Sequence, residues 1–463
     1  MTDASPKPSL GERIAFAPVP LWAVSLLVLF GLAGAVWFGW RVKTPQRKGH
    51  AHAIAMRIAG IPDTLRQMRH QRTAVPLFRP YYGGAYEPRP EGFSANRGQP
   101  LVDPGYLLLT AFDDPHRRAE VQLRRLSDGA VLHRYVPDIA TLNARSHFTS
   151  ALVDLKREKG PARNLMMHPL LLPDGGLVIH DGTPLAKIDP CGKVLWEVDG
   201  IFHHSLELGP EGHLWAAYRY PRSPLPKVSP TFIDEAVAEV TTDGKLLRLI
   251  RVADILDDND LGYLWRHRLY SEDPFHLNDV QPVYQDGRYW RRGDLFLSLR
   301  GLSMLMLYRP STGKVLWWRM QPWSAQHDVS VVDDHRISVF DNNWDFAAPE
   351  GDVAAAGNRV LVYDFDTDRT EQVLAEGMRK ADFYTRAQGR ATPLANGDFM
   401  LEETERGRVL RMAPDGTLRW EYISADASMR RYQLRWSRYL DPQSNQAAVR
   451  AAEETKCETT AKS

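Results

Sequence analysis

The stretch Ser311-Thr312-Gly313-Lys314-Val315-Leu316-Trp317-Trp318 decides the fold, because it is a copy of something the chain repeats. A Gly-containing turn followed by an apolar strand that carries Trp returns as Asp189-Pro190-Cys191-Gly192-Lys193-Val194-Leu195-Trp196 and as Pro414-Asp415-Gly416-Thr417-Leu418-Arg419-Trp420. A weaker copy, Ser127-Asp128-Gly129-Ala130-Val131-Leu132, precedes them. Turn chemistry at fixed offsets before β-rich apolar runs reads as strands.

Working outward from these turns, six units emerge: Tyr106–Val136, Leu170–Val198, His204–Ile250, His276–Met320, His327–Leu374 and Ala391–Tyr422. Units of this length with about four strands each predict an all-β, six-bladed β-propeller over 105–425. A pair of antiparallel sandwiches also uses Asp-Gly turns, but does not require the turn-plus-Trp copy to recur in register. The repeated Trp196, Trp317, Trp318 and Trp420 are expected in the core. With 463 residues and a net charge of +1, the chain lacks the basic footprint of a nucleic-acid binder.

The remaining segments read as a tail over 1–20, an anchor over 21–40, a short stalk and linker over 41–104, and a C-terminal tail over 426–463. Leu21 to Trp40 is uncharged with aromatic residues near both ends, long enough to cross a hydrocarbon core of about 30 Å. Bulky and basic residues, Trp40-Arg41-Val42-Lys43, follow at once, which predicts an uncleaved single-pass anchor. Stalk-helix spacing at Ile54, Ile58 and Leu65 is interrupted by Pro62. The charges flanking the span, Lys7 and Arg13 before it and Arg41, Lys43, Arg47 and Lys48 after it, taken alone put the propeller in the cytoplasm. Cys191 and Cys457, the two cysteines, leave one bridge and two free thiols equally open.

Three units carry histidine where an inner strand should begin: His203-His204-Ser205-Leu206, His276-Leu277-Asn278-Asp279 and His327-Asp328-Val329-Ser330. His204 and His327 each stand ten residues before the strand residues Leu214 and Ile337. Repeats that each contribute an imidazole from one place build a converging site. Strand alternation sends His203 to the face opposite His204. His168, His180, His213, His267 and His335 read as structural.

At these motifs the chain resembles the bacterial arylsulfotransferase family. The resemblance runs through Phe275-His276-Leu277-Asn278-Asp279, Gly293 to Arg300, Gly313 to Trp317, Gln326-His327-Asp328-Val329-Ser330, Ser338 to Asn343 and Gly389 to Leu401. It implies a six-bladed propeller outside the cytoplasm, at the bacterial inner membrane, that moves a sulfuryl group from an aryl sulfate donor to a phenolic acceptor without a nucleotide cofactor. Residue by residue it implies His327 as the sulfuryl-accepting nucleophile, His276 and His204 as catalytic partners, Arg300 as the cation on the sulfuryl oxygens, and Asn278 and His203 as substrate-binding residues. The turn Tyr284–Arg292 is longer than the family pattern, so Arg300 depends on reading Leu295–Leu299 as a strand.

The implied chemistry suits these residue types. Neutral imidazole can hold a sulfuryl group as N-sulfohistidine and divide one hard transfer into two. A second histidine can pass the proton, and a guanidinium matches the sulfuryl oxygens. Three histidines also suit zinc, but no companion carboxylate or thiolate stands at close spacing, and Asn278 and Arg300 favour an anion; no metal and no other cofactor is expected. A quinone-cofactor dehydrogenase propeller would bring carboxylates or a vicinal Cys pair that are not evident here. The rival from another class is a membrane-anchored propeller serving as a binding or assembly platform without turnover.

Overall fold

The computed structural model describes residues 20–43, 58, 88–95, 103–113, 115–146, 148–150, 164–229, 231–269, 271–346 and 352–457. Six antiparallel sheets, five of four strands and one of five, form six blades. Blade 2 runs from Leu170 to Val198, blade 3 from Ile201 to Arg251, blade 4 from Leu277 to Arg319, blade 5 from His327 to Val373 and blade 6 from Arg390 to Ile423. Blade 1 is composite: Arg438–Leu440 forms its innermost strand beside Tyr106–Asp113, Arg118–Arg125 and Val131–Tyr135. Gly92–Ala95 adds a fifth strand to the outer edge of blade 6 by pairing with Leu418–Ile423. The two ends of the described propeller thus cross the seam between blades 6 and 1 from opposite sides, leaving only short protected edges.

Middle strands are buried on both faces, as in Leu295–Leu299, because each blade is covered by its two neighbours. Outermost strands are covered on one face only, and Lys314–Arg319 alternates exposed and half-buried residues. Apolar side chains accordingly form six clusters, one at each interface between successive blades. Trp420 is core as expected, but Trp318 is 37% exposed, since alternation along an edge strand sends it to solvent while Trp317 packs inward.

The tail expected over 426–463 belongs in part to the propeller. Its strand closes blade 1, and helix Pro442–Glu454 packs Ala448, Val449 and Ala452 into the interface of blades 1 and 2. Cys457 beyond that helix forms a disulfide with Cys191 in the last turn of blade 2. At the other end, helix Leu21–Lys43 contains Leu21–Trp40, with mean hydropathy 2.2 and none of it buried. Its length and composition suit a membrane span, and a signal sequence meets the same test. The expected stalk helix over 51–72 lies, apart from Ile58, outside the described residues.

Inner strands are tied to one another around the axis. The Leu206 amide of blade 3 donates to His168 Nδ1 of blade 2 (3.1 Å), and the Val280 amide of blade 4 to Ser205 Oγ of blade 3 (2.8 Å). The Val329 amide donates to Asp279 (2.7 Å) and the Ala391 amide to Asp328 (2.7 Å). One side chain from each of blades 2 to 5 therefore latches the next blade's backbone at a fixed point of the repeat.

Candidate active site

The latch defines which histidines are equivalent. His204 precedes the latch Ser205 and His327 precedes the latch Asp328, so these two occupy the same repeat position. Asn278, not His276, is their counterpart in blade 4, because it precedes the latch Asp279. His276 lies two residues earlier and just before its strand, which corrects the expected shared register. A β-bulge interrupts pairing at each of the three places: between His203 and Leu206, between Leu277 and Asp279, and between His327 and Val329. His204 (φ +55°), His276 (φ +49°) and Asp328 (φ +44°) adopt the left-handed conformation there, uncommon for residues with a Cβ and concentrated at functional sites.

These kinks bring the three imidazoles together. Ring centroids of His204 and His276 are 5.3 Å apart and those of His204 and His327 6.0 Å, with one nitrogen from each of the three within 4.8 Å of the others. The bulge also overturns the expected alternation of His203, whose Nδ1 lies 2.9 Å from His204 Nδ1 rather than on the opposite face. Behind it, His203 Nε2 stands 3.4 Å from Glu235.

Hydrogen bonds assign the protons. Asn342 Nδ2 donates to the Gln388 carbonyl (3.0 Å), which turns Oδ1 toward His327 Nδ1 at 2.5 Å. An amide oxygen only accepts, so His327 carries its proton on Nδ1 and presents a lone pair at Nε2. His276 Nδ1 stands 2.6 Å from Asp273 Oδ2. Among the described residues, no side chain bonds the Nε2 of His204, His276 or His327.

Burial holds the pKa of His327 well below the usual imidazole value, with Arg300 and His276 adding to the effect. His204 is lowered in the same way by burial and by His203, His276 and His327. Burial lowers His276 as well, but Asp273 opposes it. The Asp273 carboxyl, though buried, is held well below the carboxylate range by His276, Arg219 and Arg300. Of the three histidines at the cluster, His276 alone has a carboxylate to support a proton.

Arg300 closes the strand Leu295–Leu299, which forms as read, and donates its amide to the His276 carbonyl (3.0 Å). Gly301 allows this approach, since a Cβ there would meet the Pro274 oxygen at 2.7 Å. The Arg300 guanidinium stacks over Trp344 at 5.7 Å. The long turn Tyr284–Arg292 does not disturb the site. It ties neighbouring blades together, Arg292 bonding the Pro210 carbonyl and Arg288 pairing with Asp334 at 3.1 Å.

Asn278 is fully buried and donates to the Gln326 carbonyl (2.8 Å), so one of its two amide hydrogens serves blade packing. Residues missed in the sequence complete the site. Asp273 and Asn342 orient the imidazoles; Arg219, bonded to Glu235 (3.0 Å) and 3.7 Å from Asp273, adds a second half-buried cation. Trp436, from the supposed tail, lies 5.9 Å from His204 and 6.3 Å from His327 between ring centroids. Asp341-Asn342-Asn343 belonged to a recognised motif, but nothing in it distinguishes the residue that faces His327.

The nitrogen spacing would also suit a three-histidine metal site. Two guanidiniums that lower the histidine pKa values make the pocket positive, which favours an anion over a divalent cation.

The chain is similar in fold to a Bacteroides caccae protein of unknown function (10% identity, TM-score 0.46, covering 73% of this chain and 99% of that one). It is also similar to virginiamycin B lyase from Staphylococcus aureus (12% identity, TM-score 0.37, covering 73% and 89%). Likenesses this distant carry no argument about activity. No curated protein matches. The arylsulfotransferase (ASST) family model matches residues 168–425, a span that takes in the three converging histidines, Asn278, Arg300 and Asn342, and the chain belongs to that family.

Proposed function

We propose that the family's sulfuryl transfer takes, in this protein, the form of exchange between an aryl sulfate and a phenol through a sulfohistidine at His327. The Nε2 lone pair attacks sulfur, an N–S bond forms and the S–O(aryl) bond breaks while protonated His276 gives its Nε2 proton to the departing oxygen, releasing the donor phenol and leaving His276 neutral. The acceptor phenol then gives its proton to His276 Nε2 as its oxygen attacks sulfur and the N–S bond breaks. His276 is the proton carrier rather than His204 because Asp273 backs it, whereas His204 meets another imidazole. Arg300 supplies charge for the sulfuryl oxygens. The observation that carries this reading is the Asn342 to His327 hydrogen bond, with the amide orientation imposed by Gln388, which leaves Nε2 unprotonated.

The test is to give the full chain in detergent an aryl sulfate without acceptor and map the peptides. A gain of one SO₃ on His327, discharged by adding a phenol, is the expected result. Phenol binding without ester cleavage or adduct would instead point to the binding platform.

We place the protein as a single-pass membrane protein anchored by residues 21–40, with the propeller on the periplasmic side. The Cys191–Cys457 disulfide supports this, since such bonds persist in oxidising compartments, and it outweighs the flanking charges because large domains translocate despite them. A phosphatase fused after Ser463 should be active and a fluorescent protein there dark; the reverse pattern places the propeller inside.

A further inference from the structure

Arg219 is anchored by Glu235, but little holds the other guanidinium of the site. Among the described residues the Arg300 side chain has no hydrogen-bond or ion-pair partner, although it is half-buried and burial pulls its pKa below the usual guanidinium value against the pull of Asp273. Its charge lowers the pKa of both His327 and His276, which puts the guanidinium beside the converging imidazoles. What touches it is the Trp344 indole, whose ring centroid lies 5.7 Å from the guanidinium carbon.

The indole shares a backbone frame with the nucleophile. It stands on a two-stranded ribbon, Trp344–Asp345 paired with Asp352–Val353, between the second and third strands of blade 5. The Trp344 amide donates to the Ser324 carbonyl (3.2 Å), and Ser324 Oγ donates to the Trp344 carbonyl (2.6 Å). One residue on, the Ala325 amide donates to Ser303 Oγ (3.0 Å), and Ser303 ends the turn Arg300–Leu302. Ser324 and Ala325 lead directly into His327, so one short segment spaces indole, guanidinium and nucleophile. Arg386, exposed, lies over the same ring at 5.4 Å.

We propose that Trp344 is a positioning residue for sulfuryl transfer, its ring face holding the Arg300 guanidinium where the sulfuryl oxygens bind. The inference rests on the sulfotransfer reading. A carboxylate in that place would neutralise the charge and occupy the N–H groups, whereas an aromatic face holds a planar cation and leaves its N–H edge to the oxygens.

Tryptophan carrying one to four ring fluorines, placed at position 344, keeps its shape while the negative face of the ring weakens. The kcat/KM for an aryl sulfate should fall step by step with fluorine count, to about 10-fold at the end of the series, with the melting temperature unchanged. Trp344→Leu should lose as much and Trp344→Phe less. Adding Trp344→Leu to Arg300→Gln should cost nothing further, since the indole acts only through the guanidinium. Binding of inorganic sulfate to the full chain in detergent, measured by calorimetry, should weaken in the same order. A flat fluorine series in a protein that turns over, or losses that multiply in the double variant, overturns the proposal. A protein that releases no phenol from aryl sulfates while its sulfate affinity follows the fluorine series removes the sulfotransfer reading and leaves the Trp344–Arg300 assignment standing. Sulfate affinity indifferent to fluorine in such a protein removes both.

Discussion

His327 Nδ1 and Asn342 Oδ1 are 2.5 Å apart, and this contact fixes the tautomer of the imidazole. Removing it by Asn342→Leu should free the ring and cost about 10–100-fold in kcat, the usual scale for a residue that orients a reacting histidine. Asn342→Asp tests the sign. A carboxylate there raises the His327 pKa, so the acid limb of kcat/KM should move to higher pH than in the unmodified protein, where burial and Arg300 hold that pKa low. An unmoved limb in the pH profile would remove His327 as the titrating nucleophile.

Covalent catalysis at His327 predicts that His327→Ala loses both half-reactions, and that unmodified kinetics give parallel double-reciprocal lines. Arg300→Lys keeps the charge but loses the planar fork, and should cost about 10²–10³ in rate while still forming adduct. Near-normal transfer by His327→Ala would refute the covalent step.

The Asp273–His276 pair should matter most where a proton must move. Asp273→Asn removes the group that supports protonated His276, so discharge of the sulfuryl enzyme to a weakly acidic phenol should slow more than adduct formation from a donor with a good leaving group. Single-turnover rates for the two halves separate these effects. Equal losses in both halves would mean that Asp273 acts only through the fold.

Stability should fall in mild acid. His168 and His327 are buried and His203 and His204 half-buried, all with pKa values well below 6.5, and buried His180 is lowered to about 4. Between those values and 6.5 the unfolded chain binds more protons than the folded one, so stability is full above about pH 6.5 and is lost as pH drops through the window. The melting temperature should therefore decline from pH 7 to pH 5, and decline less in His180→Gln. A flat profile would mean that these sites are hydrated.

Breaking a latch should cost more than breaking a surface pair. Asp328 has no exposed surface and holds both Arg390 and the Ala391 amide. Asp328→Ala leaves Arg390 buried without its partner and should destabilise by about 3–5 kcal/mol in urea unfolding. A loss under about 1 kcal/mol would show that blade apposition, not the latch, sets the ring.

The Cys191–Cys457 bridge closes a loop of sequence separation 266. Cys457→Ser should lower stability by up to about 5 kcal/mol on the chain-entropy scale, and loosen the C-terminal helix that follows the Trp436 segment. Reducing agent should reproduce the effect in the unmodified protein and change nothing in the Ser variant.

Much of this was readable locally. A turn and strand that recur with Trp declare a repeat, and four-stranded repeats of this length close into a propeller because each sheet must cover both faces. The equivalence of His204 and His327 was also legible, since both are counted from the same strand. What alternation could not reveal was the bulge at each inner strand, because one inserted residue reverses which face every neighbour takes. That shift brought His203 against His204 and let His276 reach a point it does not share by register.

The sequence by itself determined the architecture, the apolar N-terminal span and the residue types of the site. Only the tertiary structure decided their company: Asp273 for His276, Asn342 for His327, and Trp436 against both ring-equivalent histidines. The reason is closure. A propeller axis is lined by one segment from every blade, so residues far apart in the chain become neighbours there, and the strand that seals the ring comes from a stretch whose local pattern reads as tail.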